Sequence, residues 1–173
     1  MFITDESSKI SYTYAKMNEE ITRCTWPCQP PQLTYSTDAN WGRQVALIKP
    51  GDVVALLMEN RPEFIFIWLG LARLGAVTSF INTNLRNKAL HHCMHVCDAQ
   101  HYIVGCEHVQ TVREMWREVK LQPKGTWYVS GEDMGTDFVY MDRMLMEQPT
   151  TELIGGLYAD RTPLDSYMFI YTR

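Results

Sequence analysis

Residues 53–81 read VVALLMENRPEFIFIWLGLARLGAVTSFI, and the way this stretch divides decides the fold. Taken whole, Phe64–Ile81 is just long enough to cross a bilayer. Arg73 is its only charge and sits near the middle, where a charge is costly. Gly70, Gly75, Thr78 and Ser79 interrupt it further. Divided, it is a buried helix followed at once by a buried strand, the arrangement a parallel sheet requires. Val53–Met58 is an apolar run behind the turn pair Pro50-Gly51, which predicts a strand. Asn60 is placed to cap a helix, Pro62 fits its first turn, and Glu63 favours the positive end of its dipole. Gly75 stops that helix after Leu74, and Ala76–Ile81 follows as a strand.

The alternation continues outward. Asn84 is placed to cap a helix over about Leu85–Cys97. His101–Val104 predicts a strand, Val109–Lys120 a helix and Trp127–Val129 a strand. Phe138–Glu147 predicts a helix and Asp165–Thr172 a last strand. Strands alternating with helices imply β-α-β crossovers, hence an α/β domain whose mostly parallel sheet is flanked by helices. Cys24–Asn40, CTWPCQPPQLTYSTDAN, breaks this logic. Pro27, Pro30 and Pro31 forbid continuation of the helix that includes Glu19-Glu20-Ile21. The segment reads as a surface loop or as an atypical insert.

Composition narrows the function. The chain has 173 residues, 46% hydrophobic and 21% charged, enough for a real core. A net charge of −4 argues against nucleic acid as a partner, because phosphate binding wants a basic face. Five irregularly spaced cysteines do not form a disulfide scaffold and suit a reducing compartment. Met1–Arg23 has no apolar run that could serve as a signal peptide.

Chemistry-bearing side chains do not converge in the sequence. His91 with His95 and Cys93 with Cys97 have i, i+4 spacing, but the two pairs point about 200° apart around a helix. His92 adds to one side only. His101, His108, Cys106, Cys24 and Cys28 stand at no recognised zinc spacing. The reading is therefore no metal site and no catalytic constellation. Neither dinucleotide nor P-loop glycine motif occurs. Trp68, Trp116, Trp127, Tyr102 and Tyr128 read as core.

Lys49–Gly105 carries a resemblance. GDVVALLMENRPEF (51–64), WLGLARLG (68–75), INTNLR (81–86) and Ala89, Leu90, His92, Cys93 resemble the N-terminal part of the fatty-acid transport proteins, or very-long-chain acyl-CoA synthetases. These belong to the adenylate-forming, AMP-binding superfamily. ISYTYAKMNEEITR (10–23) is similar to that family's entry, and DSYMFIYT (165–172) to the strand leading into its phosphate-binding loop.

The resemblance implies a partial N-terminal subdomain of the adenylate-forming fold. It implies ATP, Mg²⁺ and coenzyme A as the full-length family's cofactors, with none bound by these residues. It implies a fatty acid substrate, ATP-dependent acyl-adenylate and then thioester formation, and fatty-acid uptake. Only Thr172 matches the phosphate loop, so it is the one cofactor-binding candidate, and no residue receives a catalytic role. Arg61, Asn82, Asn84 and Arg86 lie in family-like motifs and read as caps and turn residues.

The sequence departs from the family after Thr172, where it reads Arg173 and stops in place of a Ser/Gly/Thr-rich loop, at residues 24–40, and in lacking an upstream membrane-anchoring segment. The expectation is one truncated domain over 1–173, inactive alone. The family is membrane-associated, at the endoplasmic reticulum or plasma membrane, while this chain as written is cytoplasmic. The alternative is a short isoform acting as a binding or regulatory module that associates with full-length relatives. Peripheral membrane binding through 64–81 would require that stretch to be exposed.

Overall fold

The computed structural model describes residues 2–6, 8–25, 48–120, 124–147, 162 and 165–171. Residues 26–40 of the Cys24–Asn40 segment, and Thr172, lie among those outside this set; Cys24 and Thr25 close the first helix.

The chain opens with a small antiparallel pair, β1 (Phe2–Thr4) and β2 (Ser11–Thr13), joined across by Thr4 Oγ1 and Ser11 Oγ at 3.0 Å. This pair was not expected from the polar N-terminus. Helix α1 (Tyr14–Thr25) follows, then β3 (Val53–Leu57), α2 (Pro62–Leu74), β4 (Val77–Phe80), α3 (Asn87–His95) and β5 (His101–Gly105). After a 3₁₀ turn come α4 (Val109–Val119), β6 (Thr126–Ser130), β7 (Val139–Tyr140), α5 (Met141–Met146) and β8 (Met168–Ile170). Six strands form one sheet in the order β7-β6-β5-β3-β4-β8, and every pairing is parallel.

The period of two along each strand sends alternate residues to opposite faces. Val54 and Leu56 of β3, Ile103 of β5 and Tyr128 of β6 join Met17, Ile21, Phe66, Ile67, Leu71 and Met141 on the face covered by α1, α2 and α5. Ala55 and Leu57, Tyr102 and Val104, Trp127 and Val129 face α3 and α4 through Leu90, Met94, Val109, Val112 and Met115. Each Val, Leu, Ile, Phe or Met side chain taken fully out of water contributes about 1.5–3 kcal/mol, which explains why β3 reads as an unbroken apolar run.

The membrane-like stretch is α2 followed by β4. The helix is covered on both sides, by α1 and by the sheet. Phe66 meets Tyr12 edge-on at 5.1 Å, and Trp68 meets Phe80 at 5.4 Å. Gly75, at φ 85°, ends it: its N–H donates to Ala72 O and the Ala76 N–H to Leu71 O, both at 3.0 Å. Among the described residues no helix is long and apolar enough to cross a membrane.

Several boundaries differ from expectation. Asn60 does not cap α2; Arg61 occupies that position, without a side-chain cap. α3 starts at Asn87, because Asn82 and Asn84 build a turn: the Asn84 N–H donates to Asn82 Oδ1 at 2.9 Å and Leu85 N–H to Asn82 O at 3.1 Å. α3 ends at His95, short of Cys97, and Asp98 turns the chain at φ 54°. The expected helix over Phe138–Glu147 begins as strand β7, since Val139 and Tyr140 pair with Tyr128 and Val129 before α5 forms.

Candidate functional site

β3 lies between β4 and β5, and the connections leaving β3 and β5 run to opposite faces of the sheet. That is the topological switch point of a doubly wound sheet, where ligands gather beyond the carboxyl ends of strands. Here the crevice is lined by the exits of β3 (Glu59, Arg61), β5 (Gly105, Glu107) and β6 (Ser130, Gly131).

One carboxylate ties these exits together. Glu107 Oε1 accepts the Glu59 N–H at 3.0 Å, and Glu107 Oε2 lies 3.3 Å from Arg61 Nη1. Arg61 Nη2 donates to Ser130 O at 3.1 Å. Burial pushes the Glu107 carboxyl up, but the N–H bonds it accepts and the Arg61 charge outweigh this and hold it below the ordinary range. Beside it, the Gly131 N–H donates to Asp142 Oδ2 at 2.8 Å, and the Tyr140 hydroxyl donates to Gly131 O at 3.2 Å. Gly131 sits at φ 112°, and a Cβ there would stand 2.5 Å from Cys106 Sγ, so only glycine fits.

This arrangement does not fit the triphosphate of ATP. The Glu59 and Gly131 N–H groups, the kind of donor that cradles phosphate, are already bonded to carboxylates of the same chain. His108 Nε2 also lies 3.1 Å from Glu59 Oε1, without hydrogen-bond geometry. A phosphate in this crevice would face Glu59, Glu107 and Asp142. The network is a structural tie, and no chemical step is assigned to it.

The second feature is the exit of β8. Ser79, fully buried on β4, meets the Tyr171 hydroxyl at 2.9 Å. Burial, together with contact with Cys97, pushes the Tyr171 hydroxyl up to about 12, against the opposing effect of Ser79. Tyr171 is thus a neutral anchor fixing the chain directly before Thr172. Thr172 itself lies outside the described residues.

The other sequence candidates stand apart. The His91 and His95 rings stack at 4.2 Å, while His101, at the amino end of β5, pairs with Asp52 at 3.4 Å. Cys24 packs between α1 and α2. Among the described residues no group of three or more His, Cys, Asp or Glu side chains is placed to hold a metal ion. Arg86 donates to Thr83 O and Leu85 O, in keeping with a turn residue. Arg61 does more than that, since it joins three strand exits. Glu107 was missed; its one sequence signal is its place just after a buried strand.

The fold matches that of solved acyl-CoA synthetases and of the N-terminal domain of one of them. The chain superposes on a fatty acyl CoA synthetase of Mycobacterium tuberculosis with a TM-score of 0.68 and 24% identity, covering 96% of this chain and 28% of that one. It superposes on the N-terminal domain of FACL13 from the same organism with a TM-score of 0.68 and 22% identity, covering 98% and 37%. The family model described as AMP-binding enzyme matches residues 44–172, and the chain belongs to that family. Its relatives include long-chain fatty acid transport protein 1 of Mus musculus, 34% identical over 157 residues, which are 87% of this chain and 21% of the relative. Long-chain fatty acid transport protein 6 of Homo sapiens is 46% identical over 68 residues, 39% of this chain and 11% of the relative. The chain therefore spans about a fifth or less of the length of these relatives.

Proposed function

We propose that these residues are the leading α/β unit of an ATP-dependent long- or very-long-chain fatty acid–CoA ligase that also serves fatty-acid uptake. The observation that carries this is the 34% identity, over most of the chain, to a long-chain fatty acid transport protein. The whole protein would use ATP and Mg²⁺ to form an acyl-adenylate and then coenzyme A to form the thioester, at the endoplasmic reticulum or plasma membrane. The part played by these residues is scaffolding. β8 and the Ser79–Tyr171 contact deliver the chain to Thr172, where the phosphate-binding loop would open. By themselves the 173 residues form no acyl-adenylate and bind none of these cofactors. Residues 24–40 are an atypical insert relative to the family, a reading supported by Pro27, Pro30 and Pro31, which break the helical pattern there.

The test is fatty-acid-dependent pyrophosphate release by the purified chain, beside a longer polypeptide that continues past Thr172 with a Ser/Gly/Thr-rich loop. Release by the longer protein alone is expected. Release by the 173 residues would overturn the scaffolding role, and silence of both would overturn the ligase reading. A second reading, a non-catalytic module pairing with full-length relatives in the cytoplasm, is favoured by Phe169 and Ile170, which stand exposed on the sheet-edge strand β8. Failure to co-purify with a full-length relative would remove it.

A further inference from the structure

Helix α3 ends on a histidine pair that the carboxyl-edge network does not use. His91 and His95 stand one turn apart, and their rings stack at 4.2 Å between centroids, 24° from parallel. Two histidines at this spacing share one helical face, which is how a helix presents two imidazoles to a transition-metal ion. Two nitrogens bonded side by side to one ion, each at about 2.0–2.1 Å, stand about 3 Å apart. Rings already stacked this closely need only small rotations to reach that separation, so little side-chain ordering remains to oppose binding.

The tautomer suits the role. His95 Nδ1 lies 2.8 Å from His91 O, and a carbonyl only accepts, so Nδ1 carries the proton. The lone pair of the neutral His95 ring is then on Nε2. An Nδ1–H that donates to a backbone carbonyl is the usual outer contact of a metal-ligating imidazole, and it fixes the ring's orientation. The Tyr102 ring of β5, 5.5 Å away, borders His95. His91 is half-buried. Burial, with His95 and His92 beside it, holds its ring below the ordinary range for protonation, which favours the neutral form a metal ion needs.

A closed structural zinc site takes four ligands, and among the described residues no three metal-binding side chains converge. Two imidazoles make an open, bidentate site instead, whose other positions belong to water. Imidazole suits zinc, nickel and copper, whereas magnesium prefers oxygen ligands. We propose that His91 and His95 form a surface site for a divalent transition-metal ion of this imidazole-preferring class. The site is distinct from any magnesium handled with ATP and stands independently of the ligase reading.

Nickel chloride titrated calorimetrically into the untagged chain tests this, with zinc chloride and magnesium chloride beside it. Nickel and zinc are expected to bind at one site, and magnesium not at all. Loss of an outer contact alone costs about 10–100-fold in metal affinity, so His91→Gln and His95→Gln, which each remove a ligand, should weaken nickel by about tenfold or more. His92→Gln, at an exposed position outside the pair, should leave binding unchanged, as should Cys93→Ser combined with Cys97→Ser. Nickel is paramagnetic, so in the wild-type chain it should broaden the ring proton resonances of His91 and His95 before those of His101 and His108. That readout decides even where a variant fails to fold. No nickel binding, undiminished binding in folded His91→Gln and His95→Gln chains, or earlier broadening of His101 or His108 would overturn the proposal. So would a loss confined to His92→Gln or to the cysteine variant, or magnesium binding as tightly as nickel.

Discussion

Ser79 and Tyr171 meet hydroxyl to hydroxyl at 2.9 Å, the first fully buried on β4 and the second directly after β8. The contact fastens the sheet's last strand to the interior. Tyr171→Phe leaves the Ser79 hydroxyl buried with no partner and should lose about 1–3 kcal/mol. Ser79→Ala should lose about 1 kcal/mol. The double variant should be more stable than Tyr171→Phe alone, since no orphan hydroxyl remains. Urea midpoints at unchanged m values measure this, and simple additivity would show that the two hydroxyls act separately.

The Glu107 tie makes a second prediction. Glu107→Gln removes the charge opposite Arg61 and should destabilise the chain by about 1–2 kcal/mol. The sign with pH follows from the depressed carboxyl. The unfolded chain binds the proton more readily, so the stabilisation is complete above the ordinary value of 4.5 and is lost as pH falls below it. The difference in melting temperature between wild type and Glu107→Gln should therefore shrink on acidification. A constant difference would mean that the carboxylate's charge is irrelevant.

His101 behaves in the same direction for a different reason. Burial lowers its ring's affinity for a proton, and the Asp52 carboxylate at 3.4 Å only partly opposes that. Protonation favours the unfolded chain, so this contribution is complete above the ordinary value of 6.5 and declines as pH falls through it. His101→Gln should flatten the dependence of the urea midpoint on pH around and below 6.5. An equally steep dependence in the variant would assign it to other groups.

Gly70 lies where α1 and α2 approach closely. A Cβ there would stand 2.6 Å from Cys24 Cβ and 3.1 Å from Ile21 O. Alanine gains up to about 1 kcal/mol of helix propensity, whereas overpacking costs about 1–3 kcal/mol. The obstacles here belong largely to the α1 backbone, so the cost should win. Gly70→Ala is expected to lower the urea midpoint, and Gly70→Val to lower it further. An alanine variant at least as stable as wild type would show that the two helices can slide apart cheaply.

The run from β3 to β6 was legible because elements buried on both faces must be apolar throughout, and VVALLM and HYIV advertise this directly. Gly75 was equally legible, since a left-handed helix end has few other occupants. What failed was local or long-range. Asn82 and Asn84 spend their side chains on a turn, which moved the start of α3. β7 is two residues long, too short to show a period. β1 and β2 are three residues each, likewise too short to show a period. The carboxyl-edge tie was out of reach because Arg61, Glu107 and Ser130 are distant in sequence and meet only through the register of β3, β5 and β6.

The strand order also sets a sequence of assembly. β3 sits at the centre, and its partners β4 and β5 follow within a short length of chain, so the middle of the sheet can form while the polypeptide is still being made. β8 pairs with β4 through only three residues, and residues 81–167 intervene between the two strands. Closing that span costs entropy that few contacts repay. β8 should be the last strand to dock and the first to exchange its amide hydrogens. The strand that hands the chain on to Thr172 is thus a late, easily undone addition to a sheet that is otherwise complete without it.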